Sequence, residues 1–206
     1  MSKSESKQKL LAKKTSSISG VISVSGDKSI SHRAIILSMI SQKTVKIYNI
    51  LDSTDTKKSI RAAFNLGIEC KRNDGFLEIK GKGLRGLKAP DKELYFGNSG
   101  TSMRLFMGVL SAQRFPSILT GDSSLNSRPM ERVAAPLRKM GATIILENGH
   151  APVQIYPSEQ IIGLKQKLEV PSAQVKSAIL LASLYANSQT VLNPNWVTRN
   201  HTELML

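Results

Sequence analysis

Three helix starts of the same chemical type recur along this 206-residue chain. Each places serine or threonine hydroxyls and a lysine or arginine in the first turn of a predicted helix, in the segments Gly26–Arg33, Gly97–Arg104 and Pro171–Lys176. A helix N-terminus already offers unpaired N–H groups and the positive end of the helix dipole. Hydroxyls and a cation added there make an anion-binding site. Three such sites in one chain indicate a small ligand that carries several negative groups.

The helix starts belong to a repeat of roughly 70 residues, which is a length that points to a repeated structural unit. An apolar run ends at Tyr48, Leu119 and Leu192, and Gly67 and Gly141 mark matching helix ends. Each unit is therefore predicted to contain an inner helix, a strand, a second helix and a two-stranded hairpin. The third unit stops early in its second helix, so we expect the chain to be truncated.

Turn residues and apolar patterning predict the details of each unit. The first hairpin should pair residues 67–71 with 76–80 around Asn73-Asp74-Gly75, a strong turn signal. The second should pair residues 143–147 with 153–156 around a loop at Gly149–Pro152. A further strand is expected at Ile18–Val24, and we expect it to be poorly docked.

The two kinds of helix differ in their apolar pattern. The first helices, near residues 30–40 and 175–185, are apolar nearly all round, which predicts enclosure on several sides. The second helices, near residues 57–66 and 132–140, alternate cations with apolar residues, which predicts an outer position. Bundled inner helices would gather the three anion sites on one face, where their cations could reach a ligand. The predicted fold class is α/β, with repeated units, buried inner helices, outer helices, small mixed sheets and a truncated third repeat.

Composition limits the classes of function that remain. The net charge is +14, but aromatic residues make up only 5% and no basic run is interleaved with them, which argues against nucleic acid as the partner. No apolar stretch approaches the ~20 residues of a membrane span. Residues 1–17 are predicted to be a disordered basic tail, and residues 18–206 one incomplete globular domain. The single Cys70 fits a reducing compartment, and we expect a buried structural thiol.

Five segments resemble, in order and spacing, the signatures of the EPSP synthase (3-phosphoshikimate 1-carboxyvinyltransferase) family. They are Gly26–Arg33, Gly97–Leu105, Leu119–Met130, Ser172–Ser177 and Arg199–Glu203. Members of this family have two similar halves, each built from three repeats, and the resemblance covers one N-terminal half. The opening strand can belong to the other half in the family.

The resemblance implies a transferase of the shikimate pathway. The family moves the enolpyruvyl group of phosphoenolpyruvate to shikimate 3-phosphate and releases phosphate, with no metal or other cofactor. It implies a cytoplasmic, monomeric protein whose partners are these two small molecules, with neither nucleic acid nor a membrane. The proton-transfer groups lie in the family's other half, so this chain should bind substrate and be inactive alone, unless a separate chain supplies that half.

The resemblance also implies which residues bind substrate. Those expected at shikimate 3-phosphate are Lys28, Ser29, Arg33, Ser172, Ala173, Gln174 and Arg199. Those expected at phosphoenolpyruvate are Gly100 and Arg128, with Asn98 and Thr101 shaping that loop and Lys28 and Gln174 near both substrates. No residue of this chain is expected to be catalytic or to bind a metal.

Several alternatives stay open. A sibling family that acts on a UDP-sugar usually carries a reactive cysteine in the loop at Gly121–Arg128, and the absence of one here argues for the shikimate enzyme. Asn200 stands where the family usually has aspartate, so the orientation of Arg199 is open. A non-catalytic remnant or a basic nucleic-acid-binding domain are the alternatives from other classes.

Single polar residues outside these segments favour structural roles. For His32, hydrogen bonding at a helix end is favoured over a general base, and His201 is expected to take part in helix capping. Asp52 and Asp55 precede the second helix of the first unit in the segment Asp52–Thr56, which is typical of an N-cap cluster, and Asp122 is the one carboxylate in a candidate active-site loop.

Overall fold

The computed structural model describes residues 10–168, 171–193 and 196–206. The first unit contains α1 (Lys28–Ile40), β1 (Thr44–Tyr48), α2 (Thr54–Asn65), β2 (Glu69–Asn73) and β3 (Phe76–Lys80). The second contains β4 (Leu94–Tyr95), α3 (Gly100–Leu110), β5 (Ser117–Thr120), α4 (Ser123–Asn126), α5 (Glu131–Lys139), β6 (Thr143–Glu147) and β7 (His150–Tyr156). The third contains β8 (Lys165–Lys167), α6 (Ala173–Ser183), β9 (Val191–Asn193) and α7 (His201–Met205). The predicted α/β repeat is confirmed.

Each unit contributes its own small sheet. The strand orders are β1-β3-β2 in the first unit, β4-β5-β7-β6 in the second and β8-β9 in the third. In the second and third units the strand that precedes the inner helix pairs in parallel with the strand that follows it, while the hairpin strands pair antiparallel. The sheet of the second unit is therefore mixed, as the sequence predicts, whereas the first sheet is antiparallel and the described strands of the third are parallel.

The first unit departs from this pattern before α1. Residues 18–24 form no strand, and Ile18, Val21, Ile22 and Val24 are exposed. The strand expected at Ile18–Val24 is therefore absent. The exposure of these side chains agrees with the separate expectation that this segment is poorly docked. Residues 10–17 are exposed and carry neither helix nor strand; the rest of the predicted tail lies outside the described residues, and its disorder stays a prediction.

Turn chemistry corrects two of the predicted boundaries. Asn148 (φ 50°) and Gly149 (φ 80°) both adopt left-handed conformations, so they alone form the turn and β7 begins at His150, inside the loop expected at Gly149–Pro152. Gly67 (φ 83°) ends α2, and β2 begins at Glu69 rather than at residue 67.

Helix caps follow the expectation at α2 and differ from it at α7. Ser53, within the expected N-cap cluster, caps α2 through a capping box with Thr56. At the start of α7, among the described residues, the side chain of Asn200 makes no cap hydrogen bond and His201 Nδ1 has no partner, so the expected capping is wrong there.

The inner helices α1, α3 and α6 form the centre of the core. α3 is buried along almost its whole length, and it crosses α6 so closely that a Cβ on Gly108 would collide with the carbonyl group of Ala178. The helix α1 is less completely enclosed than the sequence predicts, since Ile30 near its start is exposed. On the outer helix α2, Phe64 lies on the surface rather than in the core.

A buried polar cluster joins α1, α2 and α3 just below their N-terminal ends. His32 Nδ1 lies 2.8 Å from Ser59 Oγ, and His32 Nε2 lies 3.3 Å from Ser99 Oγ, the N-cap hydroxyl of α3. Ser59 Oγ in turn lies 2.5 Å from Ser102 Oγ. Burial, followed by the nearby charge of Lys28, lowers the pKa of His32 to about 4. The imidazole is therefore a neutral bridge between helices, and the contacts of both ring nitrogens support the structural role that the sequence favours.

The lowered pKa of His32 predicts a loss of stability in acid. Because the folded pKa is about 4 and the unfolded value is 6.5, the unfolded chain takes up the proton first as the pH falls. We expect the free energy of unfolding to be unaffected by His32 above pH 6.5 and to fall by roughly 3 kcal/mol on going down to pH 4. Urea unfolding at a series of pH values measures this fall.

His32→Gln is the matched control, since an amide keeps a donor and an acceptor but does not titrate over this range. The difference in unfolding free energy between wild type and His32→Gln should narrow as the pH falls. A difference that stays constant from pH 7 to pH 4 would show that His32 does not titrate as inferred.

Candidate functional site

The N-terminal ends of α1, α3 and α6 lie together on one face, as the sequence predicts. Gln174 Nε2 at the start of α6 donates to Thr101 Oγ1 at the start of α3, with a distance of 2.9 Å. His32 joins α1 to the N-cap of α3, and Arg33 Nη2 joins α1 to Ser177 Oγ of α6 over 2.7 Å. Every residue implied as substrate-binding lies on these helix starts or on segments that contact them.

The α1 side of this face carries two exposed cations. The half-exposed ammonium group of Lys28 forms an ion pair with Asp55 from the start of α2. Arg199, on the segment before α7, donates from Nη1 to Ser29 Oγ over 3.2 Å. Asp27 caps α1 by accepting from the backbone N–H of Ile30 at 2.8 Å. This side therefore offers two cations, a hydroxyl and a helix N-terminus, the groups that suit a phosphate.

Arg33 is placed differently from the other cations of α1. Its side chain is only 3% exposed, and its guanidinium donates to Thr202, Ser177 and the backbone carbonyl of Ser29. The sequence expectation put Arg33 at a helix end, free to reach a ligand. The structure instead places its guanidinium inside the contact between α1, α6 and α7.

The loop before α3 is held by a network around Asn98. Its side-chain amide nitrogen donates to both carboxylate oxygens of Asp122, at 3.2 and 3.1 Å. Arg128 donates from Nη1 to the backbone carbonyl of Asn98 at 3.3 Å and also binds its side-chain oxygen. Asp122 caps α4 by accepting from the N–H of Leu125, and these hydrogen bonds lower the pKa of its carboxyl group. Asp122 is thus an ionised structural anchor of this loop.

Two guanidinium groups border the backbone at Gly100. A Cβ built on Gly100 would lie 3.0 Å from Arg104 Nη1 and 3.2 Å from Arg128 Nη1. The absent side chain at Gly100 therefore leaves room beside both guanidinium groups. A carboxylate or phosphate oxygen is the kind of ligand that such a pair attracts.

Arg104 is the residue that the resemblance left out of the implied site. It is 4% exposed, and in the described part of the chain no carboxylate lies within ion-pairing distance of it. Burial, then repulsion from Arg132 and Arg128, lowers the pKa of Arg104 to about 10. Its Nε has no hydrogen-bond partner among the residues that the structure describes. The sequence signal that could have identified Arg104 is its position in the first turns of α3. Arg33 occupies the same kind of position in α1.

The start of α6 connects the two sides of the face. Ser172 caps the helix by accepting from the N–H of Val175 at 3.3 Å, and Ala173 and Gln174 follow in its first turn. Gln174 Oε1 accepts from Arg104 Nη1 at 2.7 Å while its amide nitrogen donates to Thr101. Both ends of the Gln174 amide are thereby oriented.

Other chemistry-bearing residues lie away from this face or are engaged. Cys70 is half-buried in β2, and burial raises the pKa of its thiol to about 11, so the thiol is unreactive near neutral pH. In the ranges that the structure describes, His, Cys, Asp and Glu form no group suited to a metal ion. No described helix is long and apolar enough to cross a membrane.

Comparisons with known proteins agree with this architecture. The sequence profile of the EPSP synthase (3-phosphoshikimate 1-carboxyvinyltransferase) family matches residues 12–206. A 3-phosphoshikimate 1-carboxyvinyltransferase of Salinibacter ruber is 49% identical over 193 residues, which cover 92% of this chain and 45% of that protein. The enzyme of the same name from Ruthia magnifica is 46% identical over 198 residues, or 96% of this chain and 46% of that protein.

A solved structure extends the likeness to the fold. An EPSP synthase from Acinetobacter baumannii superposes with a TM-score of 0.87 at 47% sequence identity, covering 91% of this chain and 43% of that one. The chain spans less than half the length of these relatives. Its sequence, its repeated fold and its cluster of helix starts show that the chain belongs to the EPSP synthase family.

Proposed function

We propose that this chain is the substrate-binding N-terminal portion of an enzyme that transfers the enolpyruvyl group of phosphoenolpyruvate to the 5-hydroxyl of shikimate 3-phosphate and releases phosphate. The names of its relatives and the cationic face of its inner helices support this assignment. The enzyme would act in the cytoplasm as a monomer in the shikimate pathway. It would use a C-terminal half on the same chain or on a separate one.

The observation that carries the proposal is the division of the cationic face into two neighbouring anion sites. Lys28, Ser29 and Arg199 form the first site at the start of α1. Arg104 and Arg128 form the second beside Gly100. Two sites side by side suit a reaction in which both substrates are anions and must meet.

Gln174 supports the same assignment because it lies between the two sites. Its amide is held by Arg104 and Thr101 at the start of α3, while its helix is joined to α1 through the contact of Arg33 with Ser177. We assign shikimate 3-phosphate to the α1 side, where Ser172 and Ala173 complete the wall, and phosphoenolpyruvate to the Gly100 side. Asn98 shapes the second site by orienting Arg128.

The carboxylates at this face are engaged in structural contacts. Asp122 caps α4 and Asp55 pairs with Lys28, while His32 is buried and neutral. These contacts favour a role in binding and orienting anions for the groups described on this face. We place proton transfer on the C-terminal half.

The first prediction of this proposal concerns binding. The isolated chain should bind shikimate 3-phosphate, and Arg199→Gln should weaken that binding by roughly 1.5–3 kcal/mol, because a charge-assisted contact is lost. Isothermal titration calorimetry measures the two affinities.

Lys80→Gln is the matched control for that measurement. It removes one positive charge from an exposed site on β3, where Lys80 lies opposite Thr44 near the C-terminal end of α1. Its affinity for shikimate 3-phosphate should match wild type. Equal weakening by both variants would mean that Arg199 contributes only net charge, and the site assignment would be wrong.

The second prediction concerns turnover. The purified chain should form no enolpyruvyl product from the two substrates, because positioning without a proton donor and acceptor omits a step worth roughly 10²–10⁴-fold in rate. Phosphate release and product formation are followed together, and a C-terminal half of a close relative is then added. Product formed by the chain alone, at a rate that falls in a Lys28→Ala variant, would refute the assignment of proton transfer to the C-terminal half.

A further inference from the structure

A buried polar junction lies where α1, α6 and α7 meet, behind the α1 side of the site. It consists of Arg33, Ser177 and Thr202, which are 3%, 1% and 1% exposed. Arg33 Nε donates to Thr202 Oγ1 over 2.7 Å, and Arg33 Nη2 donates to Ser177 Oγ over 2.7 Å. The two hydroxyl oxygens lie 2.7 Å apart. We call these three residues the Arg33 junction.

The direction of each hydrogen bond in the junction follows from its donors and acceptors. A guanidinium can only donate, so both hydroxyl oxygens accept from Arg33. Ser177 Oγ lies 2.6 Å from the backbone carbonyl of Ala173, and it donates its single proton there. The Thr202 hydroxyl proton must then point to Ser177 Oγ. Thr202 is therefore both an acceptor for Arg33 and a donor to Ser177.

The junction also controls the backbone that surrounds Ser29. Arg33 Nη1 donates to the carbonyl group of Ser29 over 3.0 Å, and the hydroxyl of the same Ser29 accepts from Arg199 Nη1 over 3.2 Å. Arg199 lies three residues before Thr202 on the segment that leads into α7. Arg199 and Thr202 thus hold two neighbouring points of one segment against the same part of α1.

Thr202 is the residue of α7 that is buried, so its hydroxyl is the inner attachment of this segment. The charged groups around it are Arg33, Arg199, Lys176 and Glu203, of which Lys176 and Glu203 form an ion pair beside the junction. Burial, followed by the charge of Arg199, lowers the pKa of Arg33, and the carboxylates of Glu203 and Asp27 oppose this effect. The hydrogen bond from Arg33 to Thr202 holds the segment in place beside these charges.

We propose that Thr202 is a positioning residue for the anion site: its hydroxyl fixes the segment that carries Arg199, so that Arg199 stands beside Ser29 and Lys28. Thr202 acts through Arg199 and touches no substrate. As far as the ligand is concerned, the inference rests on the proposed function. It adds a residue outside the helix starts to the determinants of phosphate binding.

A purely space-filling role for Thr202 makes a different prediction. Valine has nearly the shape of threonine, so it would serve equally well if only volume mattered. It would, however, leave Arg33 Nε without an acceptor and remove the proton donated to Ser177. A buried donor that loses its partner keeps its desolvation cost. Thr202→Val and Thr202→Ser therefore separate the hydroxyl from the volume.

The first experiment needs no ligand. Amide hydrogen exchange across residues 199–206 and the exchange rate of the Arg33 Nε proton are measured by NMR in wild type, Thr202→Val and Thr202→Ser. We expect both exchange rates to rise by about tenfold or more in Thr202→Val and to stay within about twofold of wild type in Thr202→Ser. Wild-type exchange in Thr202→Val would overturn the inference.

The second experiment measures the affinity for shikimate 3-phosphate by calorimetry in a double-mutant cycle with Arg199→Gln. Thr202→Val should weaken binding by about tenfold in the wild-type background and by less than about twofold in the Arg199→Gln background, because its effect passes through Arg199. Thr202→Ser should restore the affinity. An equal loss in both backgrounds would show an independent structural effect and overturn the positioning role.

The two experiments separate the two hypotheses. If wild type binds no shikimate 3-phosphate, the proposed function of the isolated chain fails, and the exchange measurement alone decides whether Thr202 holds the Arg199 segment. If Thr202→Val does not fold, Ser177→Ala removes the adjoining hydroxyl from α6 and must show the same dependence on Arg199. Independence of Ser177→Ala from Arg199 would then overturn the inference.

Discussion

Arg33 and Arg104 each place a buried guanidinium at an inner helix, and each is held by neutral oxygen atoms rather than by a carboxylate. Arg33 donates to two hydroxyls and a carbonyl group, and Arg104 to the side-chain oxygen of Gln174 and the carbonyl of Pro129. Such partners satisfy the N–H groups but leave the positive charge uncompensated. Each guanidinium bridges separate elements, so these contacts tie the starts of α1, α3 and α6 and the segment at α7 to one another.

The architecture could be predicted from the sequence because the information is local. The inner helices are apolar nearly all round, and glycine marks the helix end at Gly67, so the order of elements follows from residues close in the chain. Predictions were wrong where the local pattern allowed more than one boundary. The left-handed Asn148 forms the second hairpin turn together with Gly149, so the turn lies earlier than predicted. Phe64 fits an apolar pattern, but the pattern alone does not determine how much of the outer helix the core covers.

The site could be predicted in part, and the limit is set by distance along the chain. The hydroxyls and cations in the helix starts predict anion binding from residues close in the sequence, and these helix starts lie together in the structure. The two hydroxyl partners of Arg33, however, are 144 and 169 residues away, so neighbouring residues in the sequence could not predict that Arg33 is buried. His32 illustrates the same limit, because only the folded chain brings Ser59 and Ser99 to the two sides of its ring.

Neutral partners and charged partners have opposite consequences for a site that binds anions. A hydroxyl or amide orients a cation without cancelling its field, so Arg104 and Arg128 present preorganised positive charge beside Gly100. Lys28 differs, because its pairing with Asp55 partly cancels its charge until a ligand competes for it. The two proposed anion sites therefore differ in degree: both present guanidinium charge before a ligand arrives, and the α1 side gains further charge when a ligand displaces Asp55 from Lys28. A phosphate at the α1 side would compete with Asp55 for Lys28, whereas the contact of Arg199 with the neutral Ser29 hydroxyl imposes no such competition, so the placement of Arg199 by its own segment weighs more in that site.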